Sequence, residues 1–301
     1  MAAPDGLLIV DKPQGWTSHD VVARTRRLAE TRKVGHAGTL DPMATGVLVI
    51  GIGRATRLLG WLALTDKAYD ATIRLGQTTV TDDADGDLLE SRDPSGVTQA
   101  AVIAAASTLT GDLQQVPSAV SAIKVKGERA YKRVRAGEEV TLPARPVTVS
   151  DLAVGELRSG PGTLDLDAHV ECSTGTYVRA LARDLGAALG VGGHLTALRR
   201  TRVGPYHVSR ARTLAELAEG LDVIALEEAA AANFGRHTVG EDQLAAVRNG
   251  RALPQRLTVA EGPARSAEGG PVAIFSPDGE FLALYEQHGP VAKAVAVFAP
   301  A

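Results

Sequence analysis

The chain has 301 residues, of which 45% are hydrophobic and 22% charged, a composition typical of a globular protein long enough to bury a sizeable core. No apolar run reaches the length of a membrane span, and the single cysteine, Cys172, excludes an internal disulfide framework and a cysteine-rich zinc site. The net charge of −3 does not by itself suggest nucleic-acid binding, and the N-terminus lacks the pattern of a signal peptide, so we expect a cytoplasmic protein.

The first half of the chain mixes short strands and helices irregularly. Alternating or short apolar runs predict strands, and apolar residues three or four apart predict helices. In chain order, we predict a strand at 7–10, a helix at 21–30, a glycine-rich loop at 35–46, a strand at 47–53, a helix at 55–64, a strand at 67–76, an acidic turn at 78–90 and a helix at 98–113.

The second half is richer in strands. In chain order, we predict a hairpin at 120–130, a helix around 131–137, strands at 147–157 and 163–173, a helix at 176–190, two helices within 213–232, two strands around a Pro-Asp-Gly turn within 270–287, and a last strand at 293–300. The pattern indicates a mixed α/β fold of the α+β kind, with a central mixed or antiparallel sheet and flanking helices. A change of texture predicts a boundary near residue 238, separating 1–238 from a small β-rich region at 239–301.

Basic residues are concentrated in three clusters despite the negative net charge. Each cluster alone is best interpreted as a solvated face, although such patches can also bind phosphates. The clusters are Arg24, Arg26, Arg27, Arg32 and Lys33; Lys124, Lys126, Arg129, Lys132, Arg133 and Arg135; and Arg199, Arg200 and Arg202.

Several motifs of other protein classes are incomplete. Gly51 and Gly53 follow a strand as in a dinucleotide-binding fingerprint, but Thr56 occupies the third glycine position. The acidic segment 81–87 fits a calcium-binding loop poorly. The histidines show no metal-ligand spacing, and no phosphate-binding loop or nucleophile elbow is present. None of these patterns identifies a cofactor or metal site.

The segment GHAGTLDPMATG, residues 35–46, holds one carboxylate, Asp41. The following Pro42 disfavours helical backbone at Asp41, and the glycines allow sharp turns and close approach to a ligand. Such a loop can present one carboxylate at a cleft. An ordinary Asp-Pro turn explains the same residues, and on local physics alone that interpretation is favoured.

Other segments shift the balance because they occur together and in order. They are DKPQGWTS at 11–18, GHAGTLDPMATGVL at 35–48, KAYDATIRLG at 67–76, TDDADG at 81–86, PSAVSAIKVKGERAYKRVRAGEEV at 117–140 and STGTYVRALARDLG at 173–186. Over about residues 6–206 the chain closely resembles the bacterial tRNA pseudouridine-55 synthases, the TruB family. The resemblance implies a pseudouridine synthase fold and the isomerisation of one uridine in the T-loop of tRNA, without cofactor or metal.

The resemblance also assigns catalytic roles. Asp41 matches the catalytic nucleophile, and Arg179 matches the arginine that pairs with this aspartate and orients it. Tyr69 matches the tyrosine that stacks on the target base and assists proton transfer at C5. Whether Asp41 attacks the sugar C1′, attacks the ring or removes a proton from C2′ stays open.

Further positions are implied to bind the substrate. His36 matches a loop histidine that contacts RNA, and Tyr177 and Leu198 match residues around the target nucleotide. Lys12 matches a motif lysine that supports the aspartate loop, and Asp83 matches an acid near the cleft. The alternatives are an ordinary turn histidine for His36, a strand core residue for Tyr69 and a structural role for Lys12. The chain departs from many relatives at Val80, where they carry an acid.

The remaining regions are implied to grip the RNA. The segment at about 117–146 resembles an RNA-clamping insertion, and 239–301 suggests a small PUA-like β domain, although it could be a packing module. The expected partner is the T-arm and elbow of tRNA, reached by base flipping. We expect a monomer with no membrane, obligatory protein or guide RNA partner. The alternatives are a relative acting on another RNA and a non-catalytic RNA-folding module; aid to tRNA folding could also accompany catalysis.

Overall fold

The computed structural model describes residues 3–119, 124–125, 128–129, 142–259 and 269–299. The segment predicted to clamp RNA, 117–146, therefore lies largely outside the described residues, as does the helix predicted around 131–137. Two short strands within it, Lys124–Val125 and Glu128–Arg129, pair antiparallel and confirm the predicted hairpin. No helix in the described ranges is long and apolar enough to span a membrane.

The strands are β1 Gly6–Lys12, β2 Val34–Ala37, β3 Thr45–Ile52, β4 Lys67–Leu75, β5 Gln77–Thr79, β6 Leu88–Ser91, β7 Gly111–Gln115, β8 Lys124–Val125, β9 Glu128–Arg129, β10 Arg145–Val154, β11 Arg158–Gly160, β12 Thr163–Cys172, β13 Gly193–Val203, β14 Tyr206–His207, β15 Ile224–Ala225, β16 Gly235–Thr238, β17 Val272–Phe275, β18 Phe281–His288 and β19 Val291–Val297. The helices are α1 Ser18–Leu28, α2 Leu59–Leu62, α3 Gln99–Thr108, α4 Val178–Ala188, α5 Leu214–Glu219, α6 Leu226–Asn233 and α7 Leu244–Arg248. Short 3-10 turns occupy Gly53–Arg57, Val208–Arg210 and Glu241–Gln243.

A large mixed sheet forms the centre of the described structure. Its strand order is β15-β1-β3-β13-β4-β12-β10-β7, with β2 paired to β3, β11 to β12 and β14 to β13. Within this sheet β3 and β13 run parallel, and the other pairs are antiparallel. The mixed α/β fold class with a central mixed sheet is thus confirmed. The parallel pairing of β3 with β13 joins two segments that are far apart in the sequence. The candidate site described below lies beside this pair.

Two faces of the sheet are covered differently. Helices α3 and α4 pack on one face of β4, β12 and β13 through a cluster that includes Ile73, Leu166 and Leu185. The opposite face of these strands carries ion pairs, such as that between Arg74 and Asp165. Helices α1 and α5 cover one face of β1 and β3, and α6 and a second sheet lie on the other.

The second sheet has the order β16-β17-β18-β19. It shares an apolar core with the large sheet, in which Phe275, Phe281 and Phe298 pack beside residues of β1 and β3. The guanidinium groups of Arg54 and Arg57 donate hydrogen bonds to the carbonyl oxygens of Phe298 and Val297. The second sheet begins at Gly235, a few residues before the boundary expected near 238.

Four predicted elements differ from the structure. The helix predicted at 98–113 ends at Thr108, and strand β7 begins at Gly111. The loop predicted at 35–46 begins later, because β2 continues to Ala37 and pairs with β3. The acidic turn at 78–90 contains paired strands β5 and β6. The helix predicted at 55–64 divides into the 3-10 turn and the short α2. The loop and the acidic turn differ because their residues pair with the next strand along the chain, which turn signals do not report.

Candidate active site

The loop between β2 and β3, residues 38–44, carries Asp41 and is here called the Asp41 loop. Helix α1 fixes its first part, because Thr17 caps this helix with a reciprocal bond to Asp20 and so places Ser18 beside the loop. The backbone N–H of Leu40 donates to Ser18 Oγ at 2.9 Å, and Ser18 Oγ donates to the Leu40 carbonyl at 3.2 Å. Leu40 is itself buried. Leu40, the residue before Asp41, is therefore anchored to helix α1.

Lys12 fixes the other side of the Asp41 loop. Its side chain is fully buried, and Nζ donates to the carbonyl oxygens of Trp16 at 2.7 Å, Pro13 at 3.0 Å and Pro42 at 3.3 Å. Burial lowers the pKa of Lys12 to about 8, and the negative charge of Asp41 opposes this shift. The N–H of Gly15 also donates to the Pro42 carbonyl at 2.8 Å. These contacts support the Asp41 loop from behind. Lys12 itself does not line the cavity that opens beside Asp41, which is described below.

Asp41 forms an ion pair with Arg179, which is predicted from the sequence and separated from it by 138 residues. Arg179 Nε lies 3.0 Å from Asp41 Oδ2; the arginine side chain is 5% exposed and the carboxylate 40% exposed. A buried guanidinium thus holds a carboxylate that remains open to solvent and to a ligand. This geometry orients the Asp41 carboxylate while part of it stays exposed.

Arg179 is positioned by the start of helix α4. Tyr177 is the N-cap residue of this helix; its N–H donates to Gln115 Oε1 at 2.8 Å, and Gln115 Nε2 donates to its carbonyl at 3.1 Å. Arg179 Nη1 also donates to the carbonyl of Thr81 at 2.6 Å. Backbone contacts at both ends therefore fix the direction of the arginine, and Gln115 is a supporting residue that sequence reasoning missed.

Asp83 is the second carboxylate beside Arg179. Its Oδ2 lies 3.5 Å from Arg179 Nε, and both side chains are 5% exposed. Its Oδ1 accepts hydrogen bonds from the Thr81 hydroxyl and from the Asp85 N–H. Asp83 is thus buried and does not line the cavity, so its contacts give it a role in holding Arg179.

A cavity of about 320 Å³ opens next to Asp41. Tyr69 and Leu198, from neighbouring strands β4 and β13, line it together with Tyr177 and Arg179. Burial raises the pKa of the Tyr69 phenol, and the nearby guanidinium of Arg200 opposes this rise. The structure therefore brings Asp41, Arg179, Tyr69, Tyr177 and Leu198 together around one opening, as their predicted roles require.

His36 lies apart from this cavity. It belongs to β2 instead of the loop, and its ring packs edge to face against His19 with centroids 5.6 Å apart. Burial lowers the pKa of its imidazole, so the neutral form is favoured near neutral pH. The structure does not place His36 in the lining of this cavity.

Two buried cations were missed by sequence reasoning as site residues. Lys67 and Arg200 line the cavity on the same sheet face as Tyr69. Lys67 Nζ donates to the carbonyl oxygens of Thr65 at 2.6 Å and Ala63 at 3.0 Å. Arg200 was grouped with Arg199 and Arg202 as a basic surface cluster, but it is 1% exposed. Alternation along β13 would place Arg200 and Arg202 on one face and Arg199 on the other. An irregularity in the pairing with β4 between Arg200 and Arg202 turns Arg202 towards Glu171, so that of the three only Arg200 is fully buried.

A wider groove of about 860 Å³ lies on the opposite, ion-paired face of β4 and β12. Asp70, Asp167 and His169 line it, and each is engaged with a neighbouring side chain. The Asp41 carboxylate is not part of its lining. Among the described residues no group of three His, Cys, Asp or Glu side chains is arranged to hold a metal ion.

Family models match nearly the whole chain in consecutive parts. Residues 26–178 match the TruB family pseudouridylate synthase N-terminal domain, residues 179–232 match the tRNA pseudouridylate synthase B C-terminal domain, and residues 234–299 match the tRNA pseudouridine synthase II C-terminal region. The first match ends inside the segment that carries Arg179, and the last begins next to β16.

Curated relatives and solved structures agree with these matches. A protein of Arthrobacter sp. (strain FB24) is 58% identical over 297 residues, which cover 98% of this chain and 97% of that protein. One of Streptomyces griseus is 58% identical over 301 residues, covering 98% of each chain. Both are named tRNA pseudouridine synthase B. Two solved structures have TM-scores of 0.72 and 0.71, at 27% and 26% identity, and cover 98% of this chain and 85% and 86% of theirs. They are an H/ACA RNP bound to a substrate RNA containing 2′-deoxyuridine and an archaeal box H/ACA sRNP Nop10-Cbf5 complex. This chain belongs to the TruB family of pseudouridylate synthases.

Proposed function

We propose that this chain isomerises uridine 55 in the T-loop of tRNA to pseudouridine, with Asp41 as the nucleophile. The observation that carries the proposal is the pairing of the half-exposed Asp41 carboxylate with the buried Arg179 at the mouth of a cavity lined by Tyr69. Family membership supports the reaction class, and the names of relatives that match over 97–98% of their length support tRNA as the substrate.

The reaction exchanges one bond for another within the same nucleotide. The bond between N1 and C1′ breaks, a bond between C5 and C1′ forms, the C5 proton leaves and N1 gains a proton. A loop uridine must first leave its stack, at a cost of about a few kcal/mol, because C1′ and C5 are otherwise inaccessible. The cavity beside Asp41 is a suitable place for the extruded base. The carboxylate then reacts at C1′ or at the ring, or removes the C2′ proton.

The aromatic and apolar side chains of the cavity hold the base. Tyr69 supplies a stacking surface, and in this proposal its hydroxyl relays the C5 proton, accepting it while passing its own proton on. Leu198 and Tyr177 close the cavity around the target nucleotide. Arg179 orients Asp41, whereas Asp83 and Lys12 act behind it by holding the arginine and the loop. His36 contacts RNA beside the opening. Neither metal nor cofactor takes part in this scheme.

The remaining surfaces bind the body of the tRNA. The basic cluster in and after α1 and the segment around Lys124 contact phosphates of the T-arm and elbow. Residues 1–238 form the catalytic domain, including the insertion at 117–146, and 239–301 form a PUA-like RNA-binding domain. The chain acts as a monomer, without a guide RNA or an obligatory protein partner, in the cytoplasm where its substrate is found.

Tritium release from a tRNA transcript carrying 5-tritiated uridine tests this proposal. Wild type should release tritium, whereas Asp41→Asn, or a transcript altered only at uridine 55, should give none while binding is retained. Asp167→Asn is the matched control, because this aspartate lies on the opposite sheet face and pairs with Arg158. Tight binding without release by wild type would instead indicate an RNA-folding module or another RNA substrate.

A further inference from the structure

Arg200 makes side-chain contacts on both sides of Asp41. Its guanidinium donates to the carbonyl oxygens of Gly38 at 3.2 Å and Thr39 at 3.3 Å, which precede the aspartate. Its Nε donates to the carbonyl of Val47 at 2.7 Å, which follows it. One planar group thus spans the base of the Asp41 loop. The three acceptors lie in different directions, a pattern that suits the fork of an arginine and not the single ammonium group of a lysine.

The backbone of the same residue joins the loop to the tyrosine strand. Arg200 pairs with Gly46 of β3 on one side and with Tyr69 of β4 on the other. Gly46 lies so close that a Cβ added to it would come 2.2 Å from the Arg200 carbonyl oxygen. Gly46, shortly after Asp41 in the chain, therefore packs directly against the backbone of Arg200, and Arg200 lies opposite Tyr69 in the sheet.

Arg200 forms no ion pair in the described part of the chain. Its neighbours do form such pairs, Arg199 with Asp11 at 2.7 Å and Arg202 with Glu171 at 3.1 Å. Arg200 is 1% exposed and donates to loop carbonyls instead. Burying a cation costs free energy unless its donors are satisfied. If this position needed only packing, a hydrophobic residue would fill it without that cost.

We infer that Arg200 is a positioning residue that sets the distance between Asp41 and Tyr69 by bracing the Asp41 loop against strand β4. The inference rests on the proposed function, because it concerns the two side chains that act on the flipped uridine. Arg200 holds backbone atoms of the Asp41 loop, and its guanidinium also interacts with the Tyr69 phenol. It acts on the reaction through these two groups. Its loss therefore affects the chemical step more than the grip on the tRNA, most of which lies outside the cavity.

The test compares Arg200→Lys with wild type in single-turnover conversion of a tRNA transcript and in equilibrium binding of the same RNA. We expect the rate of pseudouridine formation to fall by about 100-fold, the loss typical of a reacting group displaced by about 1 Å. The dissociation constant should stay within about threefold. Arg74→Lys is the control, since this arginine lies on the opposite face of the same sheet and pairs with Asp165.

A second variant, Arg200→Ala, tests the role by rescue. Added guanidinium ion should recover part of its rate, without changing that of Arg74→Lys. A rate for Arg200→Lys within threefold of wild type, or equal losses in rate and binding, would overturn the inference. Loss of cooperative unfolding in both Arg200 variants would do the same, because the arginine would then hold the sheet as a whole. If wild type itself makes no pseudouridine, the proposed function is what fails.

Discussion

Replacing Arg179 with methionine should destabilise the fold as well as abolish activity. Two unit charges at the 3.5 Å separation of Arg179 and Asp83 attract by about 5 kcal/mol at an effective dielectric constant of about 20, before desolvation is subtracted. Both groups are 5% exposed, so removing the arginine leaves a buried carboxylate without its cation. We expect the free energy of unfolding to fall by about 3–5 kcal/mol.

A second substitution separates the two effects. Adding Asp83→Asn to Arg179→Met removes the stranded charge while keeping the side-chain shape, so most of the lost stability should return. Activity should not return, because Asp41 still lacks the guanidinium that orients it. The matched control is Arg158→Met, whose partner Asp167 is more than half exposed, so the free energy of unfolding should barely change because solvent screens the pair.

Urea unfolding at pH 7 measures the stabilities, and tritium release measures the activity. The reasoning would be refuted if Arg179→Met cost no more than Arg158→Met. It would equally be refuted if Asp83→Asn lowered the stability of Arg179→Met further, since the aspartate would then be stabilising without the arginine. Recovery of activity in the double variant would show that Arg179 acts on catalysis only through Asp83.

Three further predictions concern other groups of the site. Tyr69→Phe should bind tRNA like wild type but react at least about 100-fold more slowly in single-turnover assays. The control is Tyr206→Phe, which removes a buried phenol hydroxyl paired with Asn233 and should keep its rate while losing about 1 kcal/mol of stability. Equal rates for the two variants would contradict the role of Tyr69. Burial lowers the pKa of Lys12 from 10.5 to about 8, so between these pH values the unfolded chain binds more protons than the folded chain. Raising the pH from 8 to 10 should therefore increase the unfolding free energy of wild type relative to that of Lys12→Met. A constant or shrinking difference in urea titrations would be evidence against this burial effect. Arg27→Ala, at an exposed position in the last turn of α1, should reduce the slope of log binding constant against log salt by about 1, and an unchanged slope would remove this helix from the RNA contacts.

The sequence was sufficient to predict the mixed fold class and the main candidate residues. Local rules outline the Asp41 loop through the Asp-Pro step and the glycines, although on local physics alone an ordinary turn is favoured there. The ordered motifs then led to the family. Asp41, Arg179 and Tyr69 were identified in this way and lie around one cavity in the structure. Their catalytic roles stay predictions until the variants are measured.

Other features depend on which distant segments meet. Whether an arginine of β13 faces solvent or the Asp41 loop depends on the pairing of this strand with β3 and β4, so Arg200 could not be distinguished from Arg199 by charge. Asp83 acquired its role because a turn lies against the start of α4. The sequence determined the residues available for chemistry, since turn and strand patterns are local. Only the tertiary structure decided which charges are buried together, because burial and ion pairing arise between segments that are far apart in the chain.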